Sequence, residues 1–183
     1  MCFKLSVNSS ICVDFLVTQH YCCVMIPDLI ELTNSPWHVL PSGVHLATLA
    51  EVKNAFAYNS HRRDLFFGLC KAAKALSIAG CRYLYIDGSY VTGKPKPGDF
   101  DGCWDPSGVD QIKLDPVLLD FDNGRKNQKL KFKGELFPFN AQAEPGRTFL
   151  NFFQRDRFSG NSKGILVVDL TGESFDLIEG VTL

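Results

Sequence analysis

Histidine, tryptophan and methionine are scarce in this chain, with four, two and two residues among 183. The histidines (His20, His38, His45, His61) stand at no ligand spacing, which leaves a histidine-built zinc site without donors and makes them structural or exposed. Net charge is scarce too. Nineteen basic against twenty acidic residues leave a formal charge of -1, so nothing pulls the whole molecule toward nucleic acid or an anionic membrane, and any electrostatic specialisation must be local. No stretch reads as an apolar run of the ~20 residues a bilayer demands, so no membrane partner is expected. There is no internal repeat, low-complexity tract or linker. Cysteine is not scarce, but seven is an odd number in a chain too large to need a disulfide framework. Free thiols point to a reducing compartment and a cytoplasmic location.

What is present is the composition of a soluble globular protein, 45% hydrophobic and 21% charged, in a chain long enough to bury one sizeable core. Residues 1–24 stand apart. They hold four of the seven cysteines (Cys2, Cys12, Cys22, Cys23), and their apolar run is broken by Asp14 and preceded only by Lys4, which suits neither a signal peptide nor a membrane span. From Met25 the sequence reads like an ordinary start. Residues 1–24 are therefore expected to be an atypical extension arising from a misassigned start codon, with an additional edge strand over Ile11–Val17 as the alternative; residues 25–183 would form a single domain.

Prolines and a glycine make Asn34–Gly43 an extended lead-in, with Trp37 and Leu40 packing on the body. Thr48 and Glu51 have the spacing of a capping box and predict a short helix ending near Tyr58. Asn59 or Ser60 caps the next, over His61–Ala79, where Leu65, Leu69, Ala72, Leu76 and Ala79 share a face, Arg62, Arg63, Lys71 and Lys74 are solvated, and Gly80 supplies the stop. Val109–Phe121 reads as helix or strand between two turns, and Arg147–Arg157 as an aromatic-rich helix. A strand over Ile165–Val168 closes at Asp169.

The chemistry concentrates in Tyr83–Asp105, YLYIDGSYVTGKPKPGDFDGCWD. A short apolar strand ends in Gly88-Ser89, and a loop rich in Gly, Pro and Lys leads to Asp99-Phe100-Asp101. If Asp99 and Asp101 lie on a strand, their side chains point to the same face. Two ionised carboxylates that close repel, and a divalent cation between them is the simplest relief. Gly88 permits close backbone approach and Ser89 adds a hydroxyl and an N–H, a combination suited to a phosphate oxygen. Further on, Glu135 stands alone among apolar residues in Gly134–Phe139. Either it joins a metal held by Asp99 and Asp101, or it faces water or a lysine on a surface strand. Arg125, Lys126, Lys129, Lys131 and Lys133 form a basic stretch, with Arg125 and Lys129 on one face if it is helical. It reads as a solvated face or as a patch beside a phosphate site.

Gly88-Ser89, nine residues, then Asp99-Phe100-Asp101, with Glu135 on a later strand, resembles the pattern of the nucleotidyltransferase superfamily related to DNA polymerase beta. The blocks DPVLLDFDNGR, GELFP, GRTFLNFFQRDR and KGILVVDL extend the resemblance, from about Met25 onward, to a group of small bacterial proteins with such a core. The resemblance implies an α+β fold, a minimal nucleotidyltransferase core whose mixed sheet is flanked by helices. It also implies Mg²⁺ (or Mn²⁺) held by Asp99, Asp101 and Glu135, and a nucleoside triphosphate gripped by Gly88 and Ser89. Lys163, Arg155 and Arg157 are candidates for phosphate contacts on charge and position. The reaction implied is transfer of a nucleoside monophosphate to a hydroxyl of a protein, RNA or small-molecule acceptor. Gly102-Cys103-Trp104 departs from the aliphatic continuation usual behind the second aspartate, so that strand is expected to be short or bulged.

Asp99-Phe100-Asp101-Gly102 also resembles the nucleophile motif of haloacid-dehalogenase phosphatases, which needs a buried apolar strand where this chain has Lys, Pro and Gly. An Asp-x-Asp serves metal in sugar-nucleotide glycosyltransferases as well, where Gly-Ser has no role. The rival of another class is a non-catalytic module that binds a nucleotide or pairs with a toxin–antitoxin partner.

Overall fold

The computed structural model describes residues 26–175; the extension expected over 1–24, and the strand weighed against it, lie outside them. In chain order the elements are strand Gly43–Leu46 (β1), helices Leu49–Phe56 (α1) and Ser60–Ile78 (α2), strands Tyr83–Asp87 (β2) and Phe100–Trp104 (β3), helix Lys126–Phe132 (α3), strand Gly134–Pro138 (β4), the pair Gln142–Glu144 (β5) and Arg147–Thr148 (β6), helix Phe149–Phe153 (α4) and strand Gly164–Asp169 (β7). The fold is α+β. Its five-stranded mixed sheet has the order β1-β7-β2-β3-β4, parallel at β1–β7 and β3–β4 and antiparallel where β2 meets β7 and β3.

Strand alternation sorts the side chains into two layers. Leu84, Ile86, Phe100, Trp104, Leu136, Leu166 and Val168 point to the face covered by the helices, where Leu49, Val52, Leu65, Leu69, Ala72 and Leu76 meet them in the main core. The other face carries a smaller cluster of Cys103, Phe137, Ile165 and Phe153, and is covered only in part. That half-covered face leaves room for a cleft.

Local chemistry sets the helix starts. Thr48 accepts from the Glu51 N–H at 3.2 Å while Glu51 accepts from the Thr48 N–H at 2.7 Å, a reciprocal cap for α1. Asn59 accepts from the Arg62 N–H at 2.8 Å and starts α2. The expected apolar face of α2 is buried, and Arg63, Lys71 and Lys74 are exposed.

Four expectations need correction. Arg62 is fully buried, not solvated: its guanidinium donates to the carbonyls of Phe56 (3.1 Å), Tyr90 (2.6 Å), Thr92 (2.8 Å) and Lys94 (3.1 Å), with the Tyr58 and Tyr90 rings at 4.8 and 5.1 Å. β3 is neither short nor bulged; it keeps register with both neighbours through Trp104. Gly102 is the reason, because a Cβ there would come within 2.4 Å of the Tyr85 carbonyl oxygen, so the small residue permits close strand pairing. Val109–Phe121 is turns and one short 3-10 turn (Pro116–Leu119), tied by Asp110 and Asp115 accepting from backbone N–H groups two residues on. The helix expected over 147–157 is only Phe149–Phe153, since Arg147 and Thr148 pair with β5.

Candidate functional site

Asp87 ends β2, and its register partner on β3 is Asp101, whose register partner on β4 is Glu135. The three residues form a row across adjacent strands. The alternation that buries Ile86 and Leu136 under the helices turns all three acids to the half-covered face. Asp99 precedes β3 by one residue and joins the same group. Like charges directly opposite on a sheet are destabilising, so this row needs compensation.

Compensation comes from three cations. Lys163, buried just before β7, donates to Asp87 Oδ1. Arg125 reaches Glu135 Oε2 through Nη2 at 2.6 Å and Nε at 2.8 Å. Lys129 bridges Glu135 Oε1 and Asp99 Oδ2, the latter at 3.2 Å. Arg125, at the cap before α3 and not helical as expected, and Lys129 within α3 both reach Glu135, and the basic stretch is in part a counter-charge. Glu135 is buried and takes cations as its partners. Asn123, Arg125 and Lys133, which flank α3, have left-handed backbone at φ 47°, 57° and 62°. Such a conformation costs a non-glycine residue about 1–3 kcal/mol and is held only where the surroundings enforce it; Arg125 in that conformation meets Glu135, while Lys129 reaches the same carboxylate from within the helix.

The Asp101 carboxyl alone in the row has no ion pair or hydrogen bond among the described residues, its backbone being held in the sheet. Burial, then the charges of Asp99, Asp87 and Glu135, push its carboxyl up to about 7 against a smaller pull from Lys129. Burial likewise raises Asp87, with Lys163 opposing.

Gly88, at φ 77°, turns the chain beside this row into a short 3-10 turn over Ser89–Val91. A cleft of about 760 Å³ opens there, lined by Asp87, Gly88, Ser89, Asp99, Asp101 and Lys163 together with Trp37, Arg147, Phe152, Arg155, Arg157 and Phe158. All the residues expected in the site except Glu135 line it. Glu135 belongs to the acid row but is not part of the cleft wall. Lys163 lines the cleft with its ammonium committed to Asp87. Arg155 and Arg157 are exposed at the mouth.

Carboxylate oxygens are the donors that Mg²⁺ or Mn²⁺ prefers, and Asp101 is an acid in want of a cation. Among the described residues, however, no group of three or more His, Cys, Asp or Glu side chains is arranged to hold a metal ion. Lys129 stands between Asp99 and Glu135, and a metal shared by those two would have to displace it.

The profile described as "Family of unknown function (DUF6932)" matches residues 32–169. The chain belongs to this family. The DUF6932 match runs from the lead-in to the last residue of β7, so it contains the whole sheet, all four acids and their three counter-cations. No curated protein and no solved structure matches the chain. Among the described residues, no helix is long and apolar enough to cross a membrane.

Of the cleft residues named above, sequence reasoning missed Asp87, Trp37, Arg147, Phe152 and Phe158. For Asp87 a signal existed: it follows Tyr83 and Tyr85 at strand period, opposite in phase to Leu84 and Ile86, immediately before Gly88. For the aromatics there was none, because ring exposure follows from tertiary packing.

Proposed function

We propose that the cleft is a metal-dependent nucleotidyl transfer site, in which a nucleoside triphosphate lies between the acid row and the arginines of the cleft. The observation that carries this reading is the unpaired carboxylate of Asp101, flanked in register by Asp87 and Glu135 and adjoining the Gly88-Ser89 turn. Asp99 and Asp101, with Glu135 behind them, would hold Mg²⁺ or Mn²⁺ once Lys129 withdraws. A divalent ion there lowers the pKa of an acceptor hydroxyl and offsets charge on the leaving group.

The chain's own residues would do the rest. Gly88 allows the triphosphate to approach the backbone and Ser89 donates to it, while Arg155 and Arg157 at the mouth bring cationic charge to the tail. The acceptor oxygen attacks the α-phosphorus and the bond from that phosphorus to the oxygen of the β-phosphate breaks, releasing pyrophosphate. The hydroxyl proton leaves to solvent water in the cleft, because the carboxylates of Asp99 and Asp101 are taken up as ligands of the ion. The acceptor is a hydroxyl of a protein, an RNA or a small molecule, and the free buried thiols of Cys70, Cys81 and Cys103 accord with a cytoplasmic setting.

One observation favours a second reading. Three of the four acids are already paired with cations from the same chain, as they would be in a non-catalytic nucleotide-binding module or a toxin–antitoxin partner. Incubation with labelled nucleoside triphosphates and Mg²⁺ or Mn²⁺ separates the two. Label on the protein itself, on RNA or on a co-purified partner, lost in Asp99→Asn and Asp101→Asn, is the result expected of the enzyme. Nucleotide binding without transfer is the result expected of the module.

A further inference from the structure

Asp156 also lines the cleft, and its carboxylate serves no ion pair among the described residues. Asp156 is 5% exposed and accepts from the N–H of Phe158 (3.2 Å), the N–H and hydroxyl of Ser159 (both 2.8 Å) and the hydroxyl of Ser35 (3.2 Å). Its own backbone closes the turn, donating to the Asn161 carbonyl at 2.9 Å and accepting from the Gly160 N–H at 2.8 Å. Burial works to raise this carboxyl, and the bonds from Ser159, Ser35 and Phe158 hold it below the usual range, as expected of an acid kept ionised by donors.

What this bracing holds out is an exposed aromatic ring. Phe158 is 56% exposed at the cleft mouth, with the Arg157 guanidinium 5.4 Å from its centroid, and Phe152, 40% exposed, lines the same cleft. An exposed ring beside a cation, in the same cleft as the Gly88-Ser89 turn, offers a surface for each of the two ends of a nucleotide.

Resting on the reading given under Proposed function, we infer that Phe158, braced by Asp156, is the stacking platform for the nucleobase of the bound triphosphate, with Arg157 alongside. The base is held by its face, so recognition adds affinity for nucleotide over bare polyphosphate.

Calorimetric titration of the full chain with ATP and with inorganic tripolyphosphate, both in Mg²⁺, tests this. ATP should bind the wild-type protein about tenfold more tightly than tripolyphosphate, the increment expected of one base–aromatic stack. Phe158→Ala should abolish that advantage and leave tripolyphosphate affinity unchanged, and Phe158→Trp should retain it. Equal affinities in the wild type, an advantage that survives Phe158→Ala, or an equal loss of both ligands in that variant would each overturn the platform. Tripolyphosphate binding without tighter ATP binding overturns the platform alone. Binding of neither ligand overturns the nucleotidyl transfer reading together with it.

Discussion

A Cβ placed on Gly88 would stand 2.1 Å from Oδ2 of Asp101 and 2.9 Å from its backbone nitrogen. The Gly-Ser turn and the acid row are therefore one packed unit, in which the second aspartate occupies the space that a side chain on the turn would need.

Gly88→Ala should thus damage the site and not only the turn. The left-handed φ of 77° alone costs an alanine about 1–2 kcal/mol. The clash adds to that because β3 cannot retreat without losing register. In urea denaturation, Asp101→Ala combined with Gly88→Ala should be more stable than the sum of the single changes predicts. Simple additivity would show that only the backbone angle matters.

Asp101 sets a pH dependence. Its carboxyl is raised to about 7, above the ordinary aspartate value of the unfolded chain, so the folded state binds the proton more tightly. Stability from this group is complete below about pH 4 and is lost as pH rises through about 7. In EDTA, Asp101→Asn should raise Tm at pH 8, with the gap closing toward pH 4. A stabilisation of the order of 2–4 kcal/mol is expected. Collapse of the fold in this variant would instead make the carboxylate structural.

Lys129→Met tests whether lysine and metal compete for the same carboxylates. Without metal, Asp99 loses its ion pair and Glu135 retains only Arg125, so the variant should melt below the wild type. Adding Mg²⁺ should raise its Tm by several degrees more than that of the wild type, since a ligand that binds only the folded state stabilises it by mass action. An equal Mg²⁺ response in both proteins would place any metal away from Lys129.

Arg62 should be among the costliest positions to change. Arg62→Met leaves the carbonyls of Phe56, Tyr90, Thr92 and Lys94 without this buried donor, at about 1–3 kcal/mol for each group that finds no replacement. The loop after the Gly-Ser turn hangs from three of these bonds, so the loss should amount to at least ~3 kcal/mol in urea denaturation. Arg63→Met, one residue on and exposed, should stay within about 0.5 kcal/mol. Comparable effects at the two positions would refute the clamp.

The amino-acid sequence by itself determined what depends on near neighbours. The Thr48–Glu51 cap, the Asn59 start, the apolar face of α2 and the strand character of Tyr83–Ile86 all follow from periods of two or 3.6 residues and from local hydrogen bonds. The association of Gly88-Ser89 with Asp99 and Asp101 was legible only through the resemblance to the nucleotidyltransferase pattern. Tertiary structure alone decided what depends on register and on partners remote in the chain. Asp87, Asp101 and Glu135 form a row only because β2, β3 and β4 align at those residues. Arg62 is a clamp and not a solvated charge because the 90–94 loop lies over it, and Lys129 faces two acids because α3 runs beside β4. A charged side chain carries no mark in the sequence that says whether it will meet water or a counter-charge. That outcome is a matter of desolvation and Coulomb energy, which exist only once the strands have closed.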